Sequence, residues 1–230
     1  MRPVVLPIEL SQLGYRILNS DALRNRGFKQ IAEWLDKVQK FWKERRTEKD
    51  EGRFPHVIDR LNYNGLLTIQ NPKKRYVVLY NMGGTNVVSC VIDRHSLPSF
   101  QVLKASIKPR DFVADTSTYI YEKDDETEPH YLCAVLNSSV LNETIKPLQP
   151  RGLFGERAIH RRPFMLPVPK FNENDPLHIE LAKMSQSCHT KIESHKFTKK
   201  SAGGLREEAR LIVKKDIQKI DELVSQLLNL

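Results

Sequence analysis

The stretch that decides the fold is Ala114-Asp-Thr-Ser-Thr-Tyr-Ile-Tyr121, followed by Tyr131-Leu-Cys-Ala-Val-Leu-Asn-Ser138. Its first half ends in β-branched and aromatic residues, which predicts a strand, and its second half has the apolar spacing of a helix. An arginine-rich loop at 149–162 comes next, and Leu166-Pro-Val-Pro169 then leaves it as an extended segment. This order predicts mixed α and β structure, with helices packed against a sheet.

Upstream of this stretch, short β-type runs alternate with turn residues. Before Thr118–Tyr121, they are Tyr76–Tyr80, Val87–Ile92, Phe100–Leu103 and Asp111–Ala114. The segment Asn81-Met-Gly-Gly-Thr-Asn86 joins the first two runs at hairpin length, and its glycines allow the positive φ angles of tight turns. The fold class expected is α+β, with an antiparallel or mixed curved sheet from about Tyr76 to Tyr121, flanked by N-terminal and C-terminal helices.

Helical spacing of apolar residues predicts the flanking elements. The helices expected are Ser20–Arg46, His130–Ile145, Leu177–Ile192 and Leu205–Leu228, and residues 194–204 are expected to form a basic loop. Three regions follow: 1–70 as a helical docking or linker region, 71–170 as a β-rich core, and 171–230 as helices packing on that core. The side chains expected to be largely buried are Phe28, Trp34, Leu79, Val88, Ile92, Val113, Ile120, Leu132, Leu136, Leu181 and Leu223.

The composition is that of a globular protein of 230 residues. No run of about 18 apolar residues occurs, and Pro7 and Glu9 interrupt the apolar start, so neither a membrane span nor a signal peptide is expected. The three cysteines are far apart and form no CxxC pair, so no zinc ribbon or disulfide framework is expected. A cytoplasmic location without a membrane partner is therefore predicted.

The basic charge is concentrated in one part of the chain. The formal net charge is +9, and between Lys146 and Lys170 six basic residues face one acid, Glu156. A local basic excess favours a polyanion on one face, although many basic proteins bind no polyanion.

Further short motifs accompany the opening stretch. They are Arg60-Leu-Asn-Tyr63, Val78-Leu-Tyr-Asn81 with Gly84-Thr-Asn86, and Ile220-Asp-Glu-Leu-Val224. In this order, from about Arg53 to the C-terminus, the chain resembles the TaqI-like C-terminal specificity, or target recognition, domain of adenine-N6 DNA methyltransferases and type II restriction-modification enzymes.

The resemblance implies a module that reads double-stranded DNA while a methyltransferase domain or subunit flips and methylates the target adenine. S-adenosylmethionine is then expected in that partner, with no cofactor in this chain, and a nuclease module is a further expected associate. Because such a methyltransferase domain precedes its specificity domain, this chain is expected to be a fragment or a separate subunit. The leading helix, with Ile31, Leu35, Val38 and Trp42, is the expected docking surface.

Catalytic motifs are not evident in the sequence. The adenine-gripping Asn/Asp-Pro-Pro-Tyr/Phe motif has only the distant counterpart Asn71-Pro-Lys-Lys-Arg-Tyr76, and Gly83-Gly84 is a turn rather than a cofactor loop. Asp111 and Asp115 lie close together without a convincing Glu-x-Lys on a neighbouring strand. The chain alone is therefore expected to be non-catalytic.

Base reading needs Arg, Asn, Gln, Ser or Thr side chains at base edges, with phosphate contacts to hold the register. Local turn hydrogen bonds, solvated turns or salt bridges to Glu143 or Glu156 are the alternative roles for the same residues. The candidate DNA contacts are Lys73, Lys74, Arg75, Thr85, Asn86, Lys104, Lys108, Arg110, Arg151, Arg157, His160, Arg161 and Arg162.

Three other functions stay open from the residues. One is a general nucleic-acid-binding protein without a methyltransferase partner, which predicts salt-sensitive binding with little sequence preference. Another is a Mg²⁺-dependent endonuclease domain that uses Asp111 and Asp115. The last is a helical scaffold that contacts only proteins.

Overall fold

A computed structural model describes residues 4–12, 14–152, 155–156 and 158–229. The described strands are β1 (Ile8–Leu10), β2 (Tyr15–Ile17), β3 (Tyr76–Asn81), β4 (Ser89–Asp93), β5 (Phe100–Val102), β6 (Ala105–Ile107), β7 (Thr118–Lys123), β8 (Arg151–Gly152) and β9 (Gly155–Glu156). The described α-helices are α1 (Ser20–Asn25), α2 (Lys29–Arg45), α3 (Glu48–Arg53), α4 (Val57–Leu61), α5 (Thr127–Asn137), α6 (Ser139–Ile145), α7 (Pro176–Ser194), α8 (Ala202–Ile212) and α9 (Lys214–Leu228).

The chain divides into two compact units. The first comprises Met1–Lys73 and Leu97–Thr116, and the second comprises Lys74–Ser96 and Ser117–Leu230. The region 1–70 expected to be helical lies in the first unit, the region 171–230 lies in the second, and the region 71–170 is divided between them. Among the described residues, no helix has the length and apolarity that a membrane crossing requires.

The first unit contains α1 to α4 and the antiparallel hairpins β1–β2 and β5–β6. Its small core consists of Leu18, Leu23, Ala32 and Leu35. The sequence predicted one helix over Ser20–Arg46, and that prediction is wrong at Gly27. This glycine has a φ of 83°, a left-handed conformation that ends α1 before α2 begins.

The side of α2 that packs inward also differs from the prediction. Leu35 is buried, but Phe28 and Trp34 are 51% and 56% exposed. The indole Nε1 of Trp42 donates to the Phe54 carbonyl at 2.9 Å, so Trp42 is held within its own unit. The residues expected to form a docking surface therefore include side chains that stabilise the unit itself.

The second unit is built on a three-stranded antiparallel sheet in the order β4-β3-β7. Alternate residues of β3, namely Tyr76, Val78 and Tyr80, join the main core together with side chains of α5, α7 and α9. Leu136, Leu181 and Leu223 are buried there as predicted. The α+β class with antiparallel sheets and helices at both ends of the chain is thus confirmed.

The expectation of one sheet from Tyr76 to Tyr121 is wrong in its middle. Among the described residues, strands β5 and β6 pair only with each other, and Asp111–Ala114 is not a strand. The Gln70 side chain takes the place of a strand partner there, because its amide donates to the Ala114 carbonyl and accepts from the Ala114 N–H, both at 2.8 Å. Of the other predicted core residues, Leu79, Val88, Ile92, Val113, Ile120 and Leu132 are partly buried.

Two further helices are interrupted. Ser138 divides the predicted His130–Ile145 helix, since its hydroxyl caps α6 by accepting from the Leu141 N–H at 3.1 Å. Val213 separates α8 from α9 within the predicted Leu205–Leu228 helix. The helix predicted at Leu177–Ile192 is confirmed as α7.

Candidate nucleic-acid interface

Two of the predicted DNA-contacting loops meet in the second unit. Gly83 forms an isolated antiparallel bridge with Ala158, and the Met82 carbonyl accepts from the N–H groups of Ile159 and His160 at 3.0 Å each. The Tyr80 hydroxyl donates to the His160 carbonyl at 3.1 Å. These bonds join the hairpin after β3 to the end of the basic loop, although their residues are about 75 positions apart.

The hairpin between β3 and β4 is held in shape by one side chain. The Asn81 amide nitrogen donates to the carbonyls of Gly83 and Asn86 at 2.8 and 3.1 Å, and its oxygen accepts from the Val88 N–H at 2.7 Å. Gly84, with a φ of 131°, completes the turn. The turn's local hydrogen bonds are thus made by Asn81 and the backbone.

Thr85 and Asn86 lie at the tip of this hairpin. Thr85 is exposed and Asn86 is partly buried. Neither side chain forms a hydrogen bond with another residue of the described ranges; Asn86 contributes only its backbone carbonyl to Asn81. At the base of the hairpin, the side chains of Asn142 and Asn137 accept from the N–H groups of Val87 and Ser89 at 2.6 and 3.0 Å. Two adaptable polar side chains therefore stand on a loop that α5 and α6 anchor.

The basic residues after Ala158 have different roles. His160 is exposed and has a φ of 45°, and Arg161 is exposed without an ion pair to any described residue. Burial raises the pKa of the Tyr80 hydroxyl well above its ordinary value, and the charge of nearby Arg161 opposes this shift. Arg161 therefore lies close to the junction of the two loops.

Arg162 is engaged in local structure instead. Its guanidinium donates to the Leu148 carbonyl and, at 2.9 Å, to the Ala158 carbonyl. Its donors thus hold the end of the basic loop in place. Arg157 and the side chain of Arg151 lie outside the described residues.

The predicted basic turn at Lys73–Arg75 is largely neutralised. Arg75 donates to both carboxylate oxygens of Asp93 at 3.1 and 2.9 Å, and its guanidinium lies 4.8 Å from the Tyr76 ring centroid. The hydrogen bond from Arg75 lowers the pKa of Asp93 to about 2. Lys74 forms an ion pair with Asp124, whereas Lys73 is exposed and belongs to the first unit. Lys74 and Arg75 thus take part in local surface pairs of their own unit.

The fourth predicted patch lies on the β5–β6 hairpin of the first unit and just after it. Lys104, Lys108 and Arg110 are all exposed there, and none forms an ion pair within the described part of the chain. Within the second unit, the described residues join the hairpin at 81–86 to the end of the basic loop.

A second basic surface, which was not predicted from the sequence, lies beside the same hairpin. Arg206 and Arg210 on α8, and Lys214 at the start of α9, line a groove with Thr85, Asn86 and Val88. The groove encloses about 570 Å³. The spacing of Arg206 and Arg210 is the sequence signal for this surface, since basic residues four apart share one face of a helix. Lys214 lies beyond the break at Val213, so helical spacing does not predict its place.

Asp111 and the buried thiol of Cys133 have structural surroundings in the described residues. No three His, Cys, Asp or Glu side chains are grouped there in a way that would hold a metal ion. Asp111 accepts from the Tyr15 hydroxyl and from the Phe112 N–H, which indicates a structural role. Burial raises the pKa of the Cys133 thiol to about 12, so this cysteine is a poor nucleophile at neutral pH.

Comparisons with known proteins add no family. No protein-family model matches this sequence, and no curated protein is significantly similar to it.

Proposed function

We propose that this chain is a sequence-specific recognition module for duplex DNA in a restriction-modification system. Its target site is presented to an adenine-N6 methyltransferase module, and S-adenosylmethionine binds in that module. The observation that carries the proposal is the junction at Met82 and Gly83, which joins the hairpin tip and the end of the basic loop.

The chemistry of this junction suits base reading. Asn pairs in a bidentate manner with adenine, Arg with guanine, and Thr with either base type. Asn86, Arg161 and Thr85 supply these three side chains on a surface that sheet and helix anchor from below. A rigid scaffold beneath polar loops is the usual arrangement of a binding site.

The charge of the chain supports a polyanionic target. A formal net charge of +9 favours long-range attraction of DNA, and phosphate neutralisation provides most of the affinity of DNA-binding proteins. The order of motifs that resembles TaqI-like specificity domains supports the narrower choice of a restriction-modification system.

Selection from a randomised duplex pool tests the proposal. We expect the purified chain at moderate salt to enrich one short sequence, and Asn86→Ala or Arg161→Ala to relax the preference at one or two positions, at a cost of about 1–3 kcal/mol each. Lys183→Gln, on the exposed part of α7, serves as the control and should leave the motif unchanged.

The other outcomes separate the remaining functions. Retention of DNA without enrichment supports a general nucleic-acid-binding protein and contradicts sequence reading by this chain. Absence of retention at low salt contradicts DNA binding altogether.

A further inference from the structure

The groove beside the hairpin between β3 and β4 is lined by more basic than acidic side chains. Arg206, Arg210 and Lys214 line one wall, and Glu207 is the single carboxylate among its lining residues. None of these three cations forms an ion pair within the described ranges; Arg206 donates only to the Ala202 carbonyl, at 3.2 Å. Three positive charges therefore stand against one negative charge.

The nearby carboxylates are already committed to other groups. Glu208 accepts from the His195 imidazole and from the N–H groups of Thr198 and Lys199 at 2.9 to 3.1 Å, and the His195 bond is the largest cause that lowers its pKa to about 2. Asp216 binds Lys191 at 2.7 and 2.8 Å. Glu208 and Asp216 therefore do not neutralise the cations of the groove. In contrast, Lys74 and Arg75 are neutralised by Asp124 and Asp93.

The rest of the lining combines apolar and polar groups. Leu211, which is 67% exposed, and partly buried Val88 both line the groove. Thr85 and Asn86 add a hydroxyl and an amide at the edge shared with the hairpin tip. A ligand that fits must carry spaced negative charges and less polar surface between them. A sugar–phosphate chain has this character.

The spacing of the cations also suits a nucleic-acid strand. Arg206 and Arg210 are four residues apart on α8, which corresponds to about 6 Å along the helix axis. Two guanidinium groups at this separation can contact different phosphates of one strand.

We infer that this groove holds the sugar–phosphate backbone of one DNA strand and so sets the register in which the hairpin tip meets the bases. The inference rests on the proposed function and extends it to a particular phosphate-binding site. Phosphate contacts position a protein on the duplex without reading its sequence, and this separates Arg210 and Lys214 from Asn86 and Arg161 in their effects.

Binding of a labelled duplex across a salt series tests the inference. The double variant Arg210→Gln/Lys214→Gln should lower the slope of log K against log salt by about 2 and weaken binding roughly 50-fold at 0.1 M salt. The selected DNA motif should stay the same. Lys183→Gln/Lys215→Gln is the matched control, because it removes two exposed charges outside the groove lining.

A variant that makes the groove more positive distinguishes a loss of phosphate contacts from a loss of folding. Glu207→Gln removes the one carboxylate of the groove lining and should tighten binding about threefold to tenfold, which an unfolded variant cannot imitate. If the wild-type chain binds DNA but the groove variants keep its affinity and salt slope, this inference is wrong and the proposed function stands. If the wild-type chain binds no DNA, both are wrong.

Discussion

At the scale of single residues, one amide organises the hairpin between β3 and β4. Asn81 makes three hydrogen bonds within the turn between β3 and β4, which leaves the side chains of Thr85 and Asn86 without a structural task there. For Thr85 and Asn86, local hydrogen bonding was the predicted alternative to DNA contact. The structure gives that local role to Asn81.

We predict that Asn81→Ala lowers the free energy of unfolding by about 1–3 kcal/mol, because the Val88 N–H and two carbonyls lose their partner. Urea denaturation measures the change. Thr85→Ala is the control and should shift stability by less than about 0.5 kcal/mol. Equal stability of the two variants would contradict the role of Asn81.

At the scale of elements, α2 is oriented by its apolar residues, yet not as predicted. Leu35 packs into the first unit's core, while Trp34 and Phe41 are 56% and 57% exposed. A charged residue at position 35 is therefore expected to disrupt the core of the first unit, so it does not test binding of a partner by α2. If α2 contacts a methyltransferase module, the exposed aromatic residues are the ones to substitute.

We expect Leu35→Ala to destabilise the protein by about 2–4 kcal/mol, because it leaves a cavity among Leu18, Leu23 and Ala32. Trp34→Ala should change the free energy of unfolding by less than about 1 kcal/mol, since most of the side chain faces solvent. Thermal unfolding of both variants distinguishes the two faces of α2. A larger loss of stability from Trp34→Ala than from Leu35→Ala would contradict the inward position of Leu35.

At the scale of the whole molecule, two imidazoles, buried His130 and half-buried His189, link elements of the second unit. The ring of His189 accepts from the Val91 N–H at 3.0 Å and donates to the Ser185 carbonyl at 2.9 Å. His130 Nδ1 lies 3.1 Å from the Ser185 hydroxyl, and its ring meets that of His189 edge to face. Helices α5 and α7 and strand β4 are thereby connected through these two rings.

This arrangement predicts acid sensitivity. Burial, and secondarily the charge of His189, lowers the pKa of His130 from 6.5 to about 4. Because the unfolded chain then binds a proton that the folded chain does not, stability falls as pH decreases from about 6.5 towards 4. Between pH 7.5 and 5 this contribution is about 2 kcal/mol, opposed in part by half-exposed Glu126, 3.7 Å from Nε2.

Chemical denaturation of wild type and His130→Gln over this pH range measures that contribution. The variant is expected to be less stable at pH 7.5 but to lose about 2 kcal/mol less than the wild type on going to pH 5. Parallel pH profiles of the two proteins would contradict a depressed pKa at His130. The comparison of slopes cancels the contribution of the other histidines and of the carboxylates.

Several features of the fold were predictable because they depend on neighbouring residues. The β-branched run at Tyr76–Tyr80 and the apolar spacing of Leu177–Ile192 both correspond to observed elements. The breaks at Gly27, Ser138 and Val213 were missed, since apolar periodicity continues across each of them. Only the local backbone and its hydrogen bonds show that the helix stops.

The candidate interface was predictable in part. Asn86, Thr85, His160 and Arg161 were found as polar and basic residues on loops, which is a property of composition. Arg75 and Arg162 are held by local hydrogen bonds, and Arg206 and Arg210 line a groove beside the hairpin. Both facts depend on the packing of the chain. No local pattern contains that information.

The sequence by itself determined the class of this protein: an α+β fold with a basic surface, strands near residues 76–121 and helices at both ends. The tertiary structure alone decided that Gln70 replaces a strand beside Ala114, and that Met82 and Gly83 join the hairpin to the basic loop. The physical reason is that secondary structure follows from short-range sterics and periodicity. Which polar groups become partners instead depends on the packing that brings distant segments together.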